Sequence, residues 1–91
     1  MDLEWISNLF RIVSHPNRLQ IICIINKKWE VSVSEIIEIL WLKPSLVSHH
    51  LNLLKNLRII SSKRDGKNIL YSINTIEYMW LKDDIKNIFK L

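Results

Sequence analysis

The groups in this chain able to do chemistry are few, and most of them are cations. Between Lys43 and Lys67 stand Lys43, Lys55, Arg58, Lys63, Arg64 and Lys67, against Asp65 alone. The formal net charge of +4 is therefore concentrated in one stretch, and the rest of the 91 residues is close to neutral. Cations clustered in this way suit a polyanionic partner, with chance clustering on a solvated surface as the plainer alternative. His49 and His50 are adjacent, and neighbours on a helix point about 100° apart, so they cannot chelate one ion together. No metal ligand set is assigned. Cys23 is the single cysteine, which forbids an internal disulfide and agrees with a reducing compartment. The single glycine, Gly66, cannot build a phosphate-cradling loop. An enzyme is excluded on these grounds and no cofactor is expected.

The elements that must position those cations fit one domain, residues 1–91, since the length is too short for two. Hydrophobic residues make up 48%, with four tryptophans, one glycine and no alanine. That apolar load is heavy for a core so small, so sharing surface with a second copy is expected. The longest unbroken apolar run, Ile21 to Ile25, falls far short of the roughly 20 residues that span a bilayer. The N-terminal MDLEWISNLFR lacks the basic region of a signal peptide. The expectation is a soluble cytoplasmic protein without membrane contact.

Along the chain, Leu3, Ile6, Leu9, Phe10 and Val13 recur at helical spacing over about 2–13. Ser14-His15-Pro16 breaks that helix, and Pro16 suits the first turn of the next. The second helix runs to about Asn26 with Leu19, Ile22 and Ile25 inward, and Lys27-Lys28 end it. Glu30 to Val33 alternates as a strand stub does. Ser32 or Ser34 caps a helix to about Trp41, with Ile36, Ile37 and Leu40 inward. After Leu42-Lys43-Pro44 a fourth helix reaches about Leu57, with Leu46, Val47, Leu51, Leu54 and Leu57 at helical offsets. The period then shortens to about two residues. Ile59–Arg64 and Lys67–Ile73 flank Asp65-Gly66, a strong hairpin signal. Asn74 or Thr75 caps a last amphipathic helix over about 75–90.

The order α-α-β-α-α-β-β-α, mainly α with a small β part, places two short helices joined by a tight turn before a basic hairpin. That is a winged helix-turn-helix, with the motif over about 33–57 and the wing over about 59–73. The outer face of the second motif helix should be short, polar or basic where it meets the major groove. Lys43, Ser45, Ser48, His49 and Asn52 meet that description. Lys63, Arg64 and Lys67 surround the wing turn, placed to follow a phosphate backbone. Arg18 either reaches a phosphate or braces the domain. Trp5, Leu9, Ile76, Met79, Trp80 and Phe89, on the two terminal helices, are the expected dimer interface; closing a monomeric core is the alternative.

Four segments in this order resemble the ArsR/SmtB family: His15–Ile22, Val31–Ile36, Leu46–Leu54 and Asp65–Ile73. The resemblance covers about two thirds of the chain, from Val13 to Ile73. It implies a homodimeric repressor that binds double-stranded DNA at an inverted repeat and releases it when an inducer binds or a thiol oxidises. It also places His49 where family members carry a base-reading residue and His50 at a position that packs inward. Metal-sensing relatives carry thiolates where this chain has Val31-Ser32-Val33-Ser34, or histidine with acids on the last helix, where 75–91 has no histidine. Both metal sites are therefore expected to be absent. Redox-responsive relatives pair a cysteine at the place of Cys23 with a second that is missing here. Cys23 is accordingly read as a buried small apolar residue, with a redox role requiring an exposed thiol. The alternatives kept open are a redox- or ligand-gated sensor of the same family, and a winged-helix protein-interaction module that does not bind DNA.

Overall fold

Helix starts in this chain follow its prolines and one serine. In the computed structural model, which describes residues 3–74, α1 (Leu3–Val13) is followed by α2 (Pro16–Lys28), β1 (Val31–Ser32), α3 (Val33–Leu40), α4 (Pro44–Asn56), β2 (Ile60–Asp65) and β3 (Asn68–Ile73). This is the expected order as far as Ile73. The expected last helix, with Ile76, Met79, Trp80 and Phe89, lies outside the described residues. Pro16 occupies the first turn of α2, where its missing N–H costs nothing, and the His15 Nδ1 accepts from the Asn17 N–H at 3.2 Å to cap it. Ser32 caps α3 in a reciprocal pair. Its hydroxyl accepts from the Glu35 N–H at 3.2 Å, and its own N–H donates to the Glu35 carboxylate at 3.4 Å.

Helix ends are less orthodox. Trp29, Trp41 and Arg58 all hold positive φ, at 70°, 56° and 61°, where glycine is the usual occupant. At the end of α4 the Arg58 N–H donates to Lys55 O at 2.9 Å and the Ile59 N–H to Leu54 O at 3.1 Å. Those two bonds form a Schellman cap with Arg58 in the left-handed position. Each such side chain costs roughly 1–2 kcal/mol in backbone strain.

The three strands form an antiparallel sheet in the order β1-β3-β2. Val31 and Ser32 face Tyr71 and Leu70, while β2 and β3 pair from Ile60↔Ile73 to Asp65↔Asn68. The hairpin loop is therefore Gly66-Lys67, one residue on from the expected Asp65-Gly66. Gly66 at the first central position, with φ 61°, is what a type II′ turn requires. The core gathers Ile12, Ile21, Ile25, Val31, Ile36, Val47, Leu51, Leu54, Ile60 and Tyr71 between the helices and one face of the sheet.

Several inward faces differ from the sequence expectation. On α1 the buried positions are Ile6, Leu9 and Ile12, while Leu3 and Phe10 are exposed. Leu9, expected at the dimer interface, is only 2% exposed inside the core of its own chain, and Trp5 is half-buried against that core. The face of α1 that carries Leu9 is thus already used. On α2 the buried pair is Ile21 and Ile25, which turns Leu19 outward. Cys23, two residues from each of them, is exposed and free, not buried. Leu46 in the first turn of α4 is likewise exposed.

Candidate nucleic-acid interface

The side chains of α4 divide cleanly. Val47, His50, Leu51 and Leu54 are buried, a spacing of three, one and three that covers one face of a helix. Ser45, Ser48, His49 and Asn52 therefore form a continuous exposed stripe on the opposite side, and Lys43 stands exposed just before it. Four of the five expected helix contacts thus share one outward face, and the fifth, Lys43, is exposed at the cap position just before it. The start of α4 also differs from those of α2 and α3. Lys43 sits at the cap position with no side-chain hydrogen bond to the helix, and the first turn, like that of α2, holds no acid. The positive end of the helix dipole is left for an incoming anion.

The wing distributes its cations over both faces of the ribbon. Residues paired across the sheet share a face, so Arg64 lies with Ile60 and Tyr71 on the core side, extended beyond the core. Lys63, paired with Leu70, points to the other side, where its Nζ meets the Glu30 Oε2 at 2.9 Å. That hydrogen bond, and then the Glu30 charge, hold the Lys63 ammonium above its ordinary pKa. Lys67 stands in the turn itself. Among the described residues Arg64 and Lys67 form no ion pair. Lys63 alone of the three carries an intramolecular counter-ion, an arrangement between distant segments that sequence spacing does not signal.

Arg18 takes the bracing role. Its Nε–H donates to the Nδ1 of His50 at 3.1 Å and its terminal nitrogen to the Ile12 carbonyl at 3.1 Å. One guanidinium thereby ties the end of α1, the first turn of α2 and the buried side of α4. His50, 2% exposed, packs inward as expected and lies 4.8 Å from the His15 ring, centroid to centroid. Accepting at Nδ1 places the proton of neutral His50 on Nε2, which is buried without a hydrogen-bond partner. Burial, then the charges of Arg18, His15 and His49, push the His50 pKa below its ordinary value. His15 was not singled out from sequence; the His-Pro pair at a helix start is the signal that would have marked it as a cap. Both Nδ1 atoms of the pair accept protein N–H groups, and no cluster of three His, Cys, Asp or Glu suited to a metal occurs among the described residues.

Residues 15–62 match the family model described as "Bacterial regulatory protein, arsR family". The chain belongs to the arsR family. Its relatives include the cadmium resistance transcriptional regulatory protein CadC of Listeria innocua, 35% identical over 90% of this chain and 69% of that one. The HTH-type transcriptional regulator YgaV of Escherichia coli K12 is 33% identical over 94% and 87%. The crystal structure of the transcriptional repressor PagR of Bacillus anthracis superposes with a TM-score of 0.70 at 38% identity, covering 79% of this chain and 82% of that one. HlyU from Vibrio cholerae, at 22% identity and a TM-score of 0.76 over both whole chains, shares the fold. As an arsR-family protein with a winged-helix fold, the chain is a DNA-binding transcription regulator and not an enzyme. No helix among the described residues is long and apolar enough to cross a membrane.

Proposed function

We propose that this arsR-family chain acts as a homodimeric repressor, binding an inverted-repeat operator with half-sites about one helical turn apart. The observation that carries the reading is the uncapped start of α4 together with its exposed polar stripe, Ser45, Ser48, His49 and Asn52. In this reading Ser48, His49 and Asn52 hydrogen-bond base edges, Lys43 and Ser45 hold the adjacent phosphates, and Arg64 and Lys67 follow the backbone beside the wing. Lys63 joins them once it leaves Glu30. Trp5 of α1 and Ile76, Met79, Trp80 and Phe89 of the terminal segment form the subunit contact, with Leu3 and Phe10 as further exposed apolar surface on α1. In this reading the repressor acts without the usual metal-sensing ligands and works in the cytoplasm.

Replacing Lys43, Ser48 and His49 together by alanine tests this. Specific operator binding should be lost while thermal unfolding is unchanged, and retained operator affinity would refute the assignment. A second reading, thiol gating, is favoured by the exposure of Cys23 on α2. Peroxide titrated into a protein–DNA complex decides it, since an indifferent complex removes the gate.

A further inference from the structure

Among the described residues Trp41 is the most exposed large apolar side chain, at 90%. It also stands in left-handed backbone, φ 56° and ψ 34°, at the end of α3. Both conditions are unfavourable. The left-handed position at a helix end is ordinarily filled by glycine or asparagine because a Cβ crowds it, and an indole in open water leaves its large apolar face unused. The cap itself has no need of the ring. Its one hydrogen bond runs from the Trp41 N–H to Ile37 O at 2.9 Å, which any residue but proline would make. Backbone strain spent on a side chain that packs against nothing points to a use outside the fold.

The position says what that use is. Trp41 opens the three-residue link between α3 and α4, in which Leu42 is half-buried against the core while Trp41 and Lys43 stand exposed. Trp41 thereby stands two residues before the cap residue Lys43, ahead of the uncapped, acid-free start of α4. A partner reaching that start must be anionic, must tolerate a cation next to it, and must offer a flat or apolar surface to the ring. Nucleic-acid backbone satisfies all three. Deoxyribose gives an apolar face for the indole, and a phosphate oxygen accepts from Nε1–H.

We propose that Trp41 is a DNA-contacting residue, lying on the sugar–phosphate backbone just outside the bases read by α4. The inference rests on the proposed placement of α4 in the major groove, and it adds a contact that is largely independent of charge. Such a contact widens the footprint without adding to its salt dependence, whereas each lysine–phosphate contact adds to both.

Trp41→Gly and Trp41→Asn, both suited to left-handed backbone, test it in the full chain. Each should melt at or above the parent temperature, bind a fluorescein-labelled duplex roughly three- to tenfold more weakly, and keep the parent slope of log Kd against log salt. Lys43→Ala, by contrast, should lower that slope by about one unit. In the unsubstituted protein, duplex should protect from acrylamide the fluorescence component that is missing in Trp41→Phe. If both variants bind as tightly as the parent while the Lys43, Ser48 and His49 triple replacement does not, Trp41 is off the DNA and its surface serves another macromolecule. The α4 reading then stands and this inference falls. A parent protein that binds no duplex overturns both.

Discussion

Replacing Arg18 by alanine removes two hydrogen bonds at once, one to His50 Nδ1 and one to the Ile12 carbonyl. Hydrogen bonds from a charged donor contribute about 1.5–3 kcal/mol each. Arg18 is only half-buried, so solvent screening reduces the pair to about 2 kcal/mol in total. His50 would then keep both ring nitrogens inside the fold without a partner. For a domain of this size that loss lowers Tm by about 8 °C or more, read by circular dichroism at one fixed protein concentration, since a dimer's melting depends on it. Arg18→Lys keeps the charge and loses the fork, so it should recover little of the difference. The same protein is then titrated with labelled duplex over a salt series. A brace that never touches phosphate leaves the slope of log Kd against log salt where it was. If Tm holds and the slope instead falls by about one unit, Arg18 is a phosphate ligand and the bracing account is wrong.

Three other outcomes are expected. Glu30→Gln removes the carboxylate that holds Lys63 at 2.9 Å, so duplex binding should tighten about two- to threefold at low salt and the gain should fade as salt rises; filter binding giving equal or weaker affinity would discredit the competition. The His50 pKa is lowered in the fold from 6.5, so its neutral form is the folded one and its contribution is complete above that pH. Stability should therefore decline as pH falls from there toward the lowered value, and His50→Gln should flatten that limb of the Tm profile; an unaltered profile would exclude His50 as its source. Leu51→Ala opens a void under α4, where the side chain is fully buried, and should cost about 2–5 kcal/mol in urea unfolding; a loss under about 1 kcal/mol would mean that the helix closes the gap.

The legible parts of this molecule were those set by local signals. Pro16, Ser32 and Pro44 start their helices where the residue types require, and the change of period after Leu57 marks the ribbon. The stripe on α4 was readable because apolar and polar residues there alternate with a clear helical period. On α2 they do not. Leu19, Ile21, Ile22, Cys23, Ile24 and Ile25 surround that helix almost completely, so periodicity cannot choose a face, and packing chose Ile21 and Ile25. Cys23 came out exposed for the same reason. The ribbon turn lies one residue beyond the Asp-Gly pair because Asp65 closes the ladder against Asn68 and leaves Gly66-Lys67 as the loop. The burial of Tyr71 and its pairing with Val31 settle the register, and both are tertiary facts. Arg18 on His50 and Glu30 on Lys63 join segments more than thirty residues apart, a distance no local pattern spans.

The body of the protein holds its ribbon by a short grip. The stub β1 touches β3 only at Tyr71 and Leu70, so beyond the Lys63–Leu70 rung the ribbon has no third neighbour, and its last rungs, Arg64↔Ile69 and Asp65↔Asn68, overhang the domain. An isolated pair of strands is only marginally rigid, and bending that overhang disturbs none of the buried side chains behind it. In the proposed DNA-binding mode the tip would adjust to sites of different curvature while α4 keeps its seat, which would separate tolerance for DNA shape from discrimination of base sequence within a single small chain.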